Sequence, residues 1–189
     1  MVAPAQNVPP SFEQTLLPHL DAAYNLARWL TRNEQDAQDV VQEAYLRAFR
    51  FFGGFRGGDA RGWLLKIVRN TAYTWLSQNQ VQQQAVEFDE ELFGLDARSP
   101  NPELLTLQID SSNLLRRALE YLPPNFREVL VLRELEGLSY KEISAVTGMP
   151  AGTVMSSLSR ARCRLRQSLA RLVNPNVLTT SVPFKPAHA

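Results

Sequence analysis

Cysteine and histidine are almost missing from this chain of 189 residues: Cys163 stands alone, and the histidines are His19 and His188. One cysteine closes no intramolecular disulfide and fits a reducing cytoplasm, the compartment expected here. So few ligands form no zinc cluster, and Ser-His-Asp or Cys-His catalysis is disfavoured for the same reason. No run of 18 apolar residues occurs, so no membrane insertion is expected. The opening MVAPAQNVPPSFEQ lacks the basic start and apolar stretch of a secretory signal. Proline is absent between Pro18 and Pro100, which leaves room for long helices. Internal repeats and convincing strands are missing too. Glycine is sparse, with nine residues, yet five of them (Gly53, Gly54, Gly57, Gly58 and Gly62) crowd into FFGGFRGGDARGWLLKIVRN.

What is present reads as helix. A 44% apolar content is ordinary for a folded protein, and the net charge of +1 averages over unlike segments. Phe12, Leu16, Leu20, Ala23, Ala27 and Leu30 recur at helical steps, with Pro18 starting or kinking that helix. Asn33 caps a second helix whose apolar face is Val40, Val41, Ala44, Tyr45, Ala48 and Phe49. A third, from about Ala60 to Leu76, buries Leu64, Ile67, Val68, Thr71 and Trp75. Residues 77–110 then carry seven acids against Arg98, a net of −6, and read as a linker. Beyond it Leu114, Leu115, Ala118, Leu119 and Leu122 mark a helix stopped by Pro123 and Pro124. The next runs from about Asn125 to Glu136 and ends at Gly137.

The expected fold is therefore all-α. A helical bundle over residues 12–77 and a helix-turn-helix domain over 111–173 are joined by an acidic linker, 78–110. Residues 1–11 and 174–189 are expected to be flexible ends.

The helix-turn-helix lies in GLSYKEISAVTGMPAGTVMSSLSRARCRLRQSLARL. Ser139 and Glu142 form a capping box, Gly148 permits the tight turn, and Pro150 helps set the start of the following helix. In that helix Val154, Leu158, Ala161, Leu165 and Leu172 share one face, while Met155, Ser156, Ser159, Arg160 and Arg162 point away. Residues 151–172 hold five arginines and no acid, which suits a major groove, serines near base edges and arginines on phosphates or guanine. The plainer alternative is a solvated basic helix. Cys163, between Arg162 and Arg164, is a candidate thiolate that oxidation would disturb, or simply a tolerated small residue.

On the third helix Trp63, Lys66, Asn70 and Tyr73 share a face apart from the apolar one. An aromatic, a cation, an amide and a second aromatic make a platform for unstacked bases, with stacking contributing roughly 1–3 kcal/mol per base. Equally open is a flexible interhelical turn with Trp63 and Tyr73 half-buried. On the second helix Asp39 and Glu43 lie one turn apart with Gln42 close by, a like-charge arrangement partly relieved by a Glu43–Arg47 pair. That face suggests a basic protein partner, or an ordinary solvated surface.

Three segments together resemble a known family. DAQDVVQEAYLRAF resembles the polymerase-binding part of region two of bacterial RNA polymerase sigma factors of the extracytoplasmic-function (ECF) group. FRGGDARGWLLKIVRNTA resembles the promoter-melting part, and LPPNFREVLVLRELEGLSYKEISAVTGMPAGTVMSSLSRARCRLR resembles region four. The match covers about residues 12–76 and 111–172, in the family's order. It implies a non-enzymatic subunit that binds core RNA polymerase through Asp39, Gln42 and Glu43. It implies capture of the melted minus-ten strand by Phe55, Arg56, Trp63, Lys66, Asn70 and Tyr73. Duplex at the minus-thirty-five element is then read by Thr153, Met155, Ser156, Ser159, Arg160 and Arg162. An anti-sigma partner is implied as well; no cofactor, metal or small-molecule substrate is. Many members carry arginine at the positions of Met155 and Ser157, so the upstream sequence does not carry over. The rival classes are a regulator that binds duplex alone and an interaction protein that never touches DNA.

Overall fold

The structure is a computed structural model and describes the backbone of residues 11–90 and 111–173. Of the expected flexible ends, residues 1–10 and 174–189 lie outside the described residues, as does the linker from residue 91 to 110, whereas Ser11 is described. Within them every regular element is helical.

The first body is built from four α-helices. α1 (Phe12–Leu16) opens on Ser11, whose hydroxyl accepts the Gln14 N–H while the Gln14 side chain accepts the Ser11 N–H. Pro18 sits in a 3-10 turn, Leu17–His19, so the helix expected to be started or kinked there is divided into α1 and α2 (Leu20–Thr31). Arg32, at φ 63°, closes α2. Asn33 caps α3 (Glu34–Phe51) as expected, accepting the Gln35 and Asp36 N–H groups at 2.8 and 3.3 Å. α4 (Ala60–Glu90) runs past Leu76 into the glutamine-rich start of the expected linker, because no glycine or proline interrupts residues 63–93.

Leu26, Leu30, Val40, Leu64, Leu65 and Val68 fill the centre of this body. Each fully buried leucine is worth about 1.5–3 kcal/mol of transfer free energy. Ala23, Ala27, Ala37, Ala44 and Ala48 are wholly buried as well and let α2 and α3 approach closely. Two expectations shift. Phe49 points outward, 64% exposed, with its ring edge-on to Phe12 at 5.2 Å. Ile67 and Trp75 are only half-buried, their places in the core taken by Leu65 and Ala72.

The second body holds α5 (Ser111–Glu120), α6 (Pro124–Leu130), α7 (Tyr140–Thr147) and α8 (Ala151–Val173). Pro124 occupies the first turn of α6, where its missing N–H costs nothing. The single helix expected up to Glu136 widens instead into a π-turn, Val131–Leu135, with the Glu136 N–H donating five residues back to Val131 O. Gly137, at φ 68°, lets the chain turn so that the Leu138 N–H reaches Leu132 O at 3.0 Å. The Ser139–Glu142 capping box heads α7, and Gly148 closes it at φ 76°. The Ser144 hydroxyl donates to Met149 O at 2.6 Å and pins the turn between the two helices. Val154, Leu158 and Ala161 then seat α8 on α5, α6 and α7. The buried side chains of the two bodies join into one cluster, with α4 against α7 and α2 against α6.

Candidate nucleic-acid interface

The outer edge of α8 is set by the burial of its inner stripe. Thr153, Met155, Ser159, Arg160 and Arg162 are exposed, and Ser156 is partly so. The Ser156 hydroxyl donates to Thr153 O at 3.0 Å and accepts from Arg160 Nη2 at 3.4 Å, so neighbours fix its orientation. Arg162 is not free: its Nη2 and Nε donate to Glu134 Oε1 at 2.7 and 3.2 Å. That hydrogen bonding pushes the Arg162 pKa further up and keeps it cationic. Arg164 lies over the Phe126 ring at 4.9 Å, and Cys163 is exposed beside it.

In the glycine-rich loop the glycines have local causes. Gly57 and Gly58 adopt φ 81° and 96°, a region that other residues enter only with strain. At Gly62 a Cβ would lie 2.2 Å from an oxygen of Asp59, the residue that caps α4 by accepting the Gly62 N–H at 2.8 Å. The phenylalanines anchor the loop in a relay. Phe12 meets Phe52 at 5.3 Å, Phe52 stacks on Phe55 at 5.9 Å, and Phe55 packs on Trp63 at 5.1 Å. Lys66, Asn70 and Arg56 are exposed and Trp63 half-exposed, so these side chains share an open region. Tyr73 departs from it. Its hydroxyl donates to Glu128 Oε2 at 3.0 Å, and burial together with the Glu128 charge pushes its pKa up.

Asp39, Glu43 and Arg47 border a groove of about 290 Å³ between α3 and α4, closed on the far side by Thr71, Thr74 and Trp75. The expected Glu43–Arg47 pair forms, at 2.7 Å. Gln42 belongs to a different groove, of about 460 Å³, with Leu20, Tyr24, Val41 and Tyr45. The ridge of α3 thus separates Gln42 from the two acids.

Sequence reasoning passed over Arg127 and Glu128, each 1% exposed on α6. Arg127 meets no carboxylate among the described residues. Its guanidinium donates to Leu119 O at 3.0 Å, Glu120 O at 3.2 Å and Leu122 O at 2.6 Å, and across to Trp29 O at 2.6 Å and Leu30 O at 3.3 Å. Burial pulls its pKa down to about 10, still cationic at neutral pH. Burial pushes the Glu128 carboxyl up, opposed by Arg69, which pairs with it through Nε. The available signal was the apolar run Val129-Leu130-Val131-Leu132, which is apolar all round a helix and must be covered on more than one side.

Comparison with known proteins reproduces this two-body division. Residues 16–81 match the family model described as Sigma-70 region 2, and residues 112–165 match Sigma-70, region 4. The chain is 39% identical over 134 residues to the ECF RNA polymerase sigma-E factor of Escherichia coli, covering 67% of this chain and 70% of that protein. It belongs to the ECF sigma factors of the sigma-70 family. This sigma factor is also 34% identical over 172 residues to the RNA polymerase sigma-H factor of Pseudomonas aeruginosa, covering 86% of this chain and 88% of that one. It is 36% identical over 163 residues to the ECF sigma factor SigE of Mycolicibacterium smegmatis, covering 86% of this chain but only 63% of that longer protein. Among solved structures it resembles the sigma factor RpoE of Bartonella quintana in complex with the anti-sigma factor NepR. That likeness has TM-score 0.64 and 29% identity and covers 84% of this chain and 96% of that one. CnrH in complex with the cytosolic domain of CnrY shares the fold, with TM-score 0.52 and 24% identity, covering 87% and 88%. A sigma factor is a subunit for initiation and not an enzyme.

One expectation is corrected by these likenesses, the assignment as simply cytoplasmic. RpoE of Bartonella quintana is found in complex with an anti-sigma factor, so where that sigma factor resides depends on a partner as well as on its own composition. For this sigma factor itself, no helix among the described residues is long and apolar enough to cross a membrane.

Proposed function

We propose that this sigma factor recognises promoters with two unlike surfaces. The outer edge of α8, with Thr153, Met155, Ser156, Ser159, Arg160 and Arg162, lies in the major groove of the minus-thirty-five duplex. A single arginine–guanine contact there discriminates by roughly 1–3 kcal/mol. Trp63, Lys66, Asn70 and Tyr73, with Phe55 and Arg56 in the preceding loop, take the melted minus-ten strand. Stacking on Trp63 and an amide contact from Asn70 reach bases only when they have left the duplex. Asp39 and Glu43 meet basic residues of core polymerase from one side of α3 and Gln42 from the other. The acidic linker, whose first residues continue α4, runs through the polymerase where its charge stands in for nucleic acid. No bond is made or broken; strand separation is driven by binding energy in the assembled holoenzyme. An anti-sigma factor holds the protein inactive, as the RpoE–NepR likeness suggests.

One observation carries this reading. An acid-free helix edge and an aromatic–amide face occur in one chain, on separate bodies. A regulator of duplex alone has no use for the α4 face, and a protein that never touches DNA has no use for the α8 edge. The test is transcription in vitro with core polymerase and genomic promoter templates. Addition of this protein should create defined start sites. Asn70→Ala should slow opening while leaving closed complexes nearly unchanged. Failure of the protein both to join core and to open any template ends the proposal.

A further inference from the structure

Glu128 is anchored in the second body, yet among the described residues every hydrogen bond of its carboxylate runs to the first. Arg69 donates from Nε to Oε1 and from Nη2 to Oε2, the latter at 3.5 Å, and Tyr73 donates to Oε2. Glu136 behaves alike, accepting from Arg61 Nη2 and from Asn25 Nδ2, the latter at 3.3 Å. Arg127 reaches across to Trp29 O and Leu30 O in the last turn of α2, where the helix dipole is negative. Arg32 returns the contact by donating to Glu120 O at 3.1 Å. These are matched polar groups on two surfaces, buried to 1% exposure at Glu128 and 8% at Glu136.

We propose that the second body is a docking partner of the first: Glu128 and Glu136 hold it closed on α4, and Glu128 competes with single-stranded nucleic acid for Arg69 and Tyr73. The competition follows from chemistry. A carboxylate on a guanidinium occupies the place of a phosphate, and a phenol ring covered by another domain offers no surface for a base. Arg69 also lies over the Tyr73 ring at 4.6 Å, so the two are engaged as a unit.

The latch is specific without being strong. Removing Glu128 and Arg69 from water costs nearly what their pairing returns, so such a pair fixes an arrangement more than it stabilises it. Mutation of one partner, by contrast, leaves a buried charge uncompensated and opens the interface. While the closed form dominates, apparent affinity for single strands is reduced by the fraction that is open. The competition rests on the proposed role of Tyr73; the docking does not.

The experiment uses the full chain. Glu128→Arg and Arg69→Glu should each enlarge the radius of gyration in small-angle X-ray scattering at unchanged helical circular dichroism. The double variant, with the charges exchanged, should return toward the wild-type radius. Single variants that scatter like wild type would overturn the docking. Binding is read with a fluorescein-labelled single-stranded oligonucleotide of mixed sequence, to which Glu128→Ala should bind several-fold more tightly than wild type. An enlarged radius with unchanged affinity overturns the competition and leaves the docking standing. Oligonucleotide binding by neither protein, with no transcription from core, tells against the promoter reading instead.

Discussion

The two surfaces proposed to meet nucleic acid are kept in opposite conditions. The α8 edge faces solvent, and its salt-bridged arginine, Arg162, is held by Glu134 of the same body. The α4 face is partly engaged: Arg69 and Tyr73 are held by Glu128 of the other body. Duplex DNA presents its groove edges at all times, so its reader gains from being rigid and ready. A separated strand exists only late in initiation, so its reader loses little by being covered until then. The contrast places rigidity in the second body and conditional access in the first.

The largest effect that could break this contrast comes from Arg127, which ties α5 to α6 within the second body. Arg127→Ala should cost about 3–5 kcal/mol, because three carbonyls of its own body and two at the end of α2 lose their donor. Denaturant unfolding followed by circular dichroism measures it. Arg127→Lys should recover little, since an ammonium cannot fork between two helix ends. A wild-type midpoint for Arg127→Ala would show that the second body owes its rigidity to something else.

Reversal of Asp39 and Glu43 to arginine comes next. It should weaken co-purification with core polymerase by about a hundredfold, as like charges are brought together, while thermal unfolding stays close to wild type. Equal retention of core would remove the α3 acids from the interface. Arg160→Ala is smaller, about 1–3 kcal/mol on the upstream duplex if the contact is to a base. It should leave the scattering radius untouched, because among the described residues the Arg160 side chain hydrogen-bonds only Ser156. Footprints over the upstream element decide it.

The helices and their caps were legible because local chemistry decides them. Asn33, Ser139, Gly137 and Gly148 each do what their side chains, or the lack of one, permit. The α8 edge was legible for the same reason, since a helix with one apolar stripe has a determined opposite side. Phe49 misled because an aromatic next to Ala48 suits a helical stripe equally well on the surface, given Phe12 to lean on. The π-turn at Val131 leaves no local mark and follows from how α6 must re-aim before Gly137. Least legible was the contact between the bodies. Arg127 and Glu128 look like ordinary surface charges until the second surface that buries them is present. The same gap hid the diversion of Tyr73 from the face it shares with Trp63, Lys66 and Asn70.

The smallest effect tests whether α7 is as firmly set as the contrast requires. Ser139→Ala removes the hydroxyl that accepts the Glu142 N–H and should cost about 1 kcal/mol of stability. The cap also carries a pH signature. The Glu142 carboxyl is held below the usual carboxylate range, first by hydrogen bonding with the Ser139 side chain and then by the Ser139 N–H at 2.7 Å. A carboxyl with a lower pKa in the folded than in the unfolded chain adds stability that is complete above its unfolded value. That stability is lost as the pH falls through the folded value. Glu142→Gln should therefore leave the capping geometry in place and flatten the acid side of the stability profile, whereas Ser139→Ala should lower the profile and flatten it. Thermal melts of the three proteins across the carboxylate range measure both changes. Coincident profiles would mean that the box contributes nothing to the rigidity of the second body.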